Sequence, residues 1–126
     1  MTFDWSEYLK LAQELAGNAV GPVNQEAKLR SSISRAYYAS FCKARNYLRD
    51  IEGDTTIPQT GDVHIYVKVK FIDSSDIVRR RIGYNLNRLR VRRTKVDYKD
   101  FVRGLPSTVI ASLNSAQIVI SSLNNL

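Results

Sequence analysis

The sequence repeats its apolar residues at the spacing of an α-helix over residues 24–50, and this pattern constrains the fold most strongly. The apolar positions advance in steps of three and four, which places them on one face of a helix. They are Leu29, Ile33, Ala36, Tyr37, Phe41, Ala44 and Leu48. The pattern predicts one long helix from about Asn24 to Asp50.

A shorter segment, residues 4–17, has the same helical period. Its apolar face carries Trp5, Tyr8, Leu9, Ala12 and Leu15. Asp4 or Thr2 is suited to cap the first turn, because a short polar side chain accepts a backbone N–H there. Gly17 and Asn18 are suited to end the helix, since glycine readily adopts the conformation that follows a last helical turn.

Two more helices are predicted in the second half of the chain. The first runs from Ser75 to about Val96, where apolar residues again follow the helical period. The second begins near Pro106, a residue that fits the first turn of a helix because it lacks a backbone N–H. The apolar residues of the two helices are Val78, Ile82, Leu86 and Leu89, then Val109, Leu113, Ala116, Ile120 and Leu123.

The middle of the chain contains the clearest loop, residues 51–62, which has two glycines and a proline. Residues 63–71 (VHIYVKVKF) follow it and alternate between apolar and polar side chains, as a strand does. A lone strand has no partner for pairing, and the segments around it are helical. We therefore predict a short third helix over residues 63–71.

Together these elements predict an all-α, up-and-down bundle of four to five helices that forms one domain over residues 1–126. The lone cysteine, Cys42, excludes a disulfide framework and a cysteine metal cluster. No motif typical of a metal or cofactor site occurs, so we expect neither. The absence of an apolar run near the roughly 20 residues that span a bilayer, and of a signal pattern, predicts a cytoplasmic protein that does not enter a membrane.

Positive charge is the unusual part of the composition: the formal net charge is +7. Between positions 79 and 95 the sequence has eight basic residues and no acidic residue. They are Arg79, Arg80, Arg81, Arg88, Arg90, Arg92, Arg93 and Lys95. Arginine dominates, and its planar guanidinium suits bidentate contact with phosphate. Two interpretations stay open: a surface that binds RNA or another phosphate-bearing ligand, and a solvated face that docks on an acidic protein.

Arg93 differs from the other basic residues in its position on the predicted helix. Continuing the apolar stripe beyond Leu89 in steps of four reaches Arg93 and then Asp97, so both are expected on the core side. A half-buried arginine needs a partner, and Asp97 is within reach one turn later. The pair is either a structural ion pair that closes the bundle or an anion-binding arginine held by a carboxylate.

Two stretches of the sequence resemble the HEPN superfamily, small helical-bundle proteins of prokaryotic toxin–antitoxin and defence systems. The first is SRAYYASFCKARNYL, residues 34–48, which is similar to the signature of the family's long helix. The second is LNRLRVRRTKVDY, residues 86–98, which is similar to a subgroup pattern that ends in Asp-Tyr. The resemblance implies a four- or five-helix bundle that forms a homodimer. It also implies metal-independent ribonuclease activity or a protein partner such as a nucleotidyltransferase-type antitoxin.

The sequence departs from the family pattern where ribonuclease members have histidine. Those members carry an Arg, four to six variable residues and then a His, whereas residues 79–126 contain no histidine. RNA cleavage needs a group that exchanges protons near neutral pH, which an imidazole supplies. Here the candidate catalytic residues are Arg93, Asp97 and Tyr98, and an aspartate beside arginines is a poor acid and a weak base.

Three residues outside the basic window have roles that the sequence leaves open. Arg35 lies beside the core face of the long helix, where it either pairs with an acid or shares an anion site with Arg93. His64, the only histidine, is expected to cap the third helix or to form a structural hydrogen bond, with catalysis as the alternative. Cys42 is expected to be a half-buried small apolar residue.

The sequence thus predicts a helical bundle that binds RNA. The most specific form of this prediction is a toxin-type endoribonuclease with a degenerate active site. The candidate RNA-binding residues are Arg79, Arg80, Arg81, Arg88, Arg90, Arg92 and Lys95. The alternative is a non-catalytic nucleotide- or RNA-binding module, or a protein-interaction partner of an antitoxin.

Overall fold

The computed structural model describes residues 3–17 and 25–126, and these segments form five helices and no strand. The helices are α1 (Ser6–Gly17), α2 (Gln25–Asp50), α3 (Val63–Ile72), α4 (Ile77–Tyr98) and α5 (Leu105–Asn124). The predicted all-α bundle is confirmed. Across the described segments, no helix combines the length and the apolar character needed to cross a membrane.

The segment after the loop of residues 51–62 is the helix α3, although its side chains alternate like those of a strand. Val67 and Phe71, which are one helical turn apart, are its buried residues. In a strand, the alternation would place Ile65 and Val69 on the same face as Val67 and Phe71, whereas in the helix both are exposed. The prediction of a helix for this segment is confirmed, because a helix buries one apolar face of it without needing a strand partner.

Polar caps fix two of the helix starts. Asp4 accepts a hydrogen bond from the backbone N–H of Ser6 at 3.0 Å, as expected for a residue that caps α1. Asp76 accepts from the backbone N–H of Val78 at 2.8 Å, so that α4 begins two residues later than the sequence pattern predicts. The alternative cap Thr2, the predicted helix end at Asn18 and the predicted helix start at Asn24 lie outside the described residues.

The long helix α2 is the centre of the bundle and packs against each of the other four helices. Its buried residues are Ser32, Ile33, Ser34, Ala36, Tyr37, Ala39, Ser40, Phe41, Cys42, Ala44 and Leu48. Buried hydroxyls in this set have partners: Ser32 donates to the carbonyl of Ala12 on α1 at 2.7 Å. The segment with the strong helical period in the sequence is therefore the helix against which the other four described helices pack.

The apolar core has two parts. The larger part joins residues of all five helices. The smaller part contains Ile33, Val96, Leu105 and Val109, with Val102 packed against it. This second cluster packs the basic C-terminal end of α4 against the start of α5.

Gly83 allows α3 and α4 to approach closely. A Cβ atom at position 83 would lie 2.5 Å from Cγ1 of Ile72 and 2.8 Å from its backbone nitrogen. Glycine costs a helix about 1 kcal/mol relative to alanine. Here the close contact between the helices explains why glycine occupies a buried helical position.

Arg30 on α2 holds the C-terminal end of α4. Its Nη1 donates to the carbonyls of Val96 at 2.8 Å and Lys99 at 2.6 Å, and its Nη2 donates to the carbonyl of Asp100 at 3.1 Å. Glu26 orients the guanidinium from one turn earlier at 3.1 Å. The last carbonyls of a helix have no intrahelical partners. Arg30 provides the hydrogen-bond donors for carbonyls at this end of α4.

The loop between α4 and α5, residues 99–104, ends at a glycine with positive φ. Gly104 has a φ of 63°, a left-handed conformation that other residues adopt only with strain. Its carbonyl accepts hydrogen bonds from the hydroxyls of Ser107 and Thr108, both at 2.9 Å. Arg30 at one end and Gly104 at the other therefore define the path of this loop.

We expect Arg30→Ala to lower the free energy of unfolding by about 2–3 kcal/mol, because three backbone carbonyls lose a charged donor. Urea unfolding followed by circular dichroism measures this change. Arg49→Ala is the matched control, since Arg49 is an arginine of the same helix whose ion pair is with its neighbour Asp50 near the surface. Equal losses in the two variants would contradict the role of Arg30 as a cap.

Candidate functional site

One exposed face of α4 carries a regular series of apolar and basic side chains. Four large apolar residues stand seven positions apart, and each is between 48% and 75% exposed. Three exposed basic residues stand between them. The alternating steps of four and three keep the whole series on one side of the helix. We call it the α4 stripe: Ile77, Arg81, Tyr84, Arg88, Val91, Lys95 and Tyr98.

Two other arginines of the basic window are engaged with the protein itself. Arg79 forms an ion pair with Glu52 and donates to the carbonyl of Lys70 at 3.1 Å. Arg80 donates to the carbonyl of Ser74 at 3.4 Å. Both contacts fasten the start of α4 to the segments before it, so these two arginines have a structural function that Arg81 lacks.

Arg90 and Arg92 are half-buried. Arg92 donates to the hydroxyl of Ser115 on α5 at 3.1 Å. Burial lowers the pKa of Arg92, and the nearby positive charge of Arg88 lowers it further. The side chain nevertheless stays charged at neutral pH, because the ordinary pKa of arginine is far above neutrality. The predicted RNA-binding residues therefore divide into an exposed set (Arg81, Arg88 and Lys95), a set with intramolecular partners (Arg79, Arg80 and Arg92) and the half-buried Arg90.

Arg93 points into the bundle, and only 11% of its side chain is exposed. Its guanidinium carbon lies 5.3 Å from the ring centroid of Tyr37 and 5.4 Å from that of Tyr38, within the range of cation–π attraction. Asp97 pairs with it, at 3.6 Å between Nη1 and Oδ2. The same carboxylate oxygen accepts from the hydroxyl of Ser34 at 3.3 Å. The pair that the sequence pattern predicts is thus formed, and α2 holds both of its members.

This ion pair leaves the hydrogen-bonding capacity of Arg93 incompletely used. A separation of 3.6 Å is longer than a hydrogen bond. The Nε atom of Arg93 is buried and has no hydrogen-bond partner within the described residues. An unpaired buried donor costs about 1–3 kcal/mol. The rings of Tyr37 and Tyr38 offset part of this cost through their contacts with the guanidinium.

Tyr98 does not face the same point as Arg93 and Asp97. Five helical positions separate Tyr98 from Arg93, which rotates their side chains by about 140° about the helix axis. Tyr98 is 75% exposed and lies at the end of the α4 stripe. The structure therefore brings together two of the three candidate catalytic residues, and the third lies on the outer surface.

His64 reaches the surroundings of Arg93 from α3. Its Nδ1 is 2.5 Å from the hydroxyl of Tyr37, whose ring also contacts Arg93. The imidazole stacks on Phe41 with 4.3 Å between ring centroids. Of the roles left open by the sequence, the hydrogen bond is observed, and the partner is a buried tyrosine of α2.

Burial keeps the side chains of His64 and Tyr37 uncharged. Burial lowers the pKa of His64, and the positive charges of Arg90 and Arg93 lower it further. Burial also raises the pKa of Tyr37, so its phenol stays protonated. At pH 7 a neutral imidazole and a neutral phenol thus lie beside a guanidinium. We call the assembly the Tyr37 cluster: Ser34, Tyr37, Tyr38, His64, Arg93 and Asp97.

Arg35 lies next to the Tyr37 cluster on the side of α1. Its guanidinium carbon is 4.9 Å from the ring centroid of Tyr8 and 5.4 Å from that of Tyr38. Arg93 contacts the ring of Tyr38 as well, so that ring interacts with two guanidiniums. Arg35 and Asp97 also line one groove of about 640 Å³ among α1, α2 and α4. Arg93 is not among the lining residues of this groove, so whether Arg35 shares an anion site with it stays a prediction.

The described segments offer neither a reactive thiol nor a metal centre. Cys42 is buried, and burial raises the pKa of its thiol, so the side chain packs as a small apolar group. No group of three or more His, Cys, Asp or Glu side chains within residues 3–17 and 25–126 is arranged to hold a metal ion.

Sequence reasoning missed the partners of Arg93 on α2. The apolar period assigns Tyr37 to the core and gives no role to Ser34 or Tyr38. A signal for them is present in the polar atoms of the run Ser34–Tyr38 (SRAYY), since polar atoms on the inner part of a long helix need partners. What the sequence lacks is the identity of those partners, because they come from α3 and α4.

Comparison of the chain with protein-family models, with curated proteins and with solved structures found no match. The HEPN resemblance of residues 34–48 and 86–98 therefore stays a prediction. The function has to be inferred from the α4 stripe and the Tyr37 cluster.

We expect His64 to titrate below its ordinary pKa of 6.5, because burial and two arginines disfavour the imidazolium. Its C2–H resonance, from the only histidine in the sequence, reports the midpoint by NMR. Arg90→Ala is expected to raise that midpoint, whereas Arg49→Ala is not. The unfolded chain binds the proton more readily, so stability falls as the pH drops below 6.5. A midpoint at or above 6.5 would rule out this environment.

Proposed function

We propose that this protein binds single-stranded RNA along the α4 stripe. The supporting observation is the alternation of exposed basic and exposed apolar side chains along one face of α4. In this mode Arg81, Arg88 and Lys95 contact phosphates of the backbone, and Tyr84 and Tyr98 provide ring surfaces for bases. Binding of single strands by other proteins combines the same two elements, a positive track and aromatic platforms.

The spacing of the charges supports a linear polyanion as the ligand. Basic residues of the stripe recur every seven positions, which is about 10.5 Å along a helix. No acidic residue between positions 79 and 95 neutralises them. Arg88 and Lys95 each lie one turn from Arg92, and like charges at this spacing destabilise a helix slightly. Phosphates that replace counterions remove this repulsion.

A second copy of the chain is a poor occupant of the same surface. Two stripes placed face to face would oppose their arginines, and each chain carries a formal charge of +7. An acidic protein, such as the antitoxin that the HEPN resemblance implies, is the remaining alternative. The homodimer implied by that resemblance would then have to form through another surface.

Affinity for a labelled, unstructured RNA oligonucleotide should fall steeply with salt concentration, as measured by fluorescence anisotropy. The variant Arg81→Ala/Arg88→Ala/Lys95→Ala should reduce the slope of log K against log salt by about 2, since each lost phosphate contact on a single strand removes about 0.7. Tyr84→Ala should weaken binding about fivefold or more without changing the slope, because base stacking is not a counterion effect.

Arg49→Ala provides the control, because it removes one arginine from outside α4. A salt slope near zero for the wild type would exclude the phosphate-backbone interaction. Equal effects of Arg49→Ala and Arg88→Ala would exclude the α4 stripe as the binding surface and leave only general attraction by net charge.

RNA cleavage at the Tyr37 cluster is a second candidate function. Its support is the unpaired Nε of Arg93 together with the neutral imidazole of His64, which both adjoin the ring of Tyr37. A guanidinium stabilises charge on a phosphate in a transition state, and a neutral imidazole accepts a proton. The set differs from Arg93, Asp97 and Tyr98, because Tyr98 faces away and His64 replaces it.

Incubation of the protein with labelled RNA in excess EDTA tests this second candidate. If the Tyr37 cluster cleaves RNA, the wild type should degrade it under these conditions, and both Arg93→Lys and His64→Gln should lose cleavage while they retain RNA binding. RNA that is bound by the wild type but stays intact would reject the nuclease. Cleavage that survives in both variants would indicate a contaminating ribonuclease.

A further inference from the structure

A second basic depression lies at the junction of α4 and α5. It has a volume of about 410 Å³, within the range of small-molecule sites. Its lining consists of Arg92, Lys95, Val96, Lys99, Phe101, Val102, Arg103 and Thr108. We call it the α4–α5 groove. Lys99, Phe101 and Arg103 have no role in the RNA contacts proposed for the α4 stripe.

The lining of the α4–α5 groove has four cationic side chains and no carboxylate. Arg92 and Lys95 are three positions apart on one face of α4, and Lys99 is the C-cap residue that directly follows the helix. Arg103 contributes from the loop. Asp100, the acidic residue of that loop, is not among the lining residues. Such a concentration of one charge is costly without an anion to bind.

The groove is built before any ligand arrives. Arg30 fixes the backbone at Lys99 and Asp100 through its hydrogen bonds to their carbonyls. Gly104 ends the loop in a left-handed conformation. Val96 and Val102 form an apolar floor that belongs to the second core cluster. A preformed site avoids much of the ordering cost of binding.

An aromatic ring stands beside the cations. Phe101 is 75% exposed although it is a large apolar side chain, and it lines the groove. The core does not need it, since Val102 next to it supplies the buried contact. An exposed ring next to positive charge is suited to stack on a nucleobase whose phosphate the charges hold.

We propose that the α4–α5 groove binds one nucleoside phosphate unit. Its phosphate contacts Arg103, Lys99 and Lys95, and its base stacks on Phe101. Arg92, which Ser115 holds at 3.1 Å, completes the positive wall. The unit is either a free nucleotide or the phosphorylated end of an RNA strand. The proposal does not require RNA to bind along the α4 stripe, because one nucleotide is sufficient to fill the groove.

Isothermal titration calorimetry of the full chain with adenosine 5′-monophosphate, adenosine and inorganic phosphate tests the site. We expect the nucleotide to bind more tightly than phosphate, and adenosine to bind weakly. Arg103→Ala should weaken nucleotide binding about tenfold through loss of a charged hydrogen bond. Phe101→Ala should weaken nucleotide binding about fivefold or more but leave phosphate binding unchanged. Phe101 and Arg103 are both exposed, so the two variants should keep the fold.

Two RNA oligonucleotides, with a 5′-phosphate or a 5′-hydroxyl, distinguish the two sources of the ligand. A preference for the 5′-phosphate that disappears in Arg103→Ala assigns the groove to a strand end. Nucleotide binding without such a preference assigns it to a free nucleotide.

Arg49→Ala serves as the matched control and should leave nucleotide binding unchanged. Absence of both nucleotide binding and the 5′-phosphate preference would overturn the proposal, whatever the salt dependence of RNA binding. Equal losses in Arg49→Ala and Arg103→Ala would overturn it as well, since they would indicate attraction by net charge alone. Loss of RNA binding along the α4 stripe with nucleotide binding intact would reject only the proposed function.

Discussion

A single buried phenol joins the three helices that form the Tyr37 cluster, α2, α3 and α4. Tyr37 of α2 is almost completely buried. It contacts Arg93 of α4 with its ring and His64 of α3 with its hydroxyl. The hydrogen bond gives the imidazole a polar partner inside the bundle, and the ring lowers the cost of keeping a guanidinium away from water. Tyr37 thus adds a shared partner on α2 for α3 and α4, beside the contacts of Arg93 with Asp97 and Tyr38.

Most of the fold was predictable from the period of the apolar residues, because each helix has an inner and an outer face. The pattern was sufficient for α2 and also for the inward position of Arg93, which follows Leu89 on the core stripe. It was least informative for residues 63–71, where alternation resembles a strand and only the helical surroundings decide. The Tyr37 cluster was not predictable, because residues 37, 64 and 93 meet only after three helices have packed.

The same limit applies to the basic window. In the sequence, Arg79 and Arg81 are equivalent members of one charge run. In the structure Arg79 pairs with Glu52 on a distant loop, whereas Arg81 is exposed on the α4 stripe. The distribution of the charges therefore depends on partners such as Glu52 and Ser115, which no local pattern reveals. A net charge of +7 indicates attraction to anions, and the packing selects the arginines that remain accessible to them.

The cap formed by Arg30 has an electrostatic consequence for the α4–α5 groove. The backbone dipoles of a helix add up to about half a negative charge at its C-terminal end, a place that ordinarily repels phosphate. The groove is located at this end of α4. Because the guanidinium of Arg30 is hydrogen-bonded to the terminal carbonyls, its positive charge offsets the negative end of the dipole. Arg30, which lies on α2 and outside the groove, thus allows an anion to approach the C-terminal end of α4.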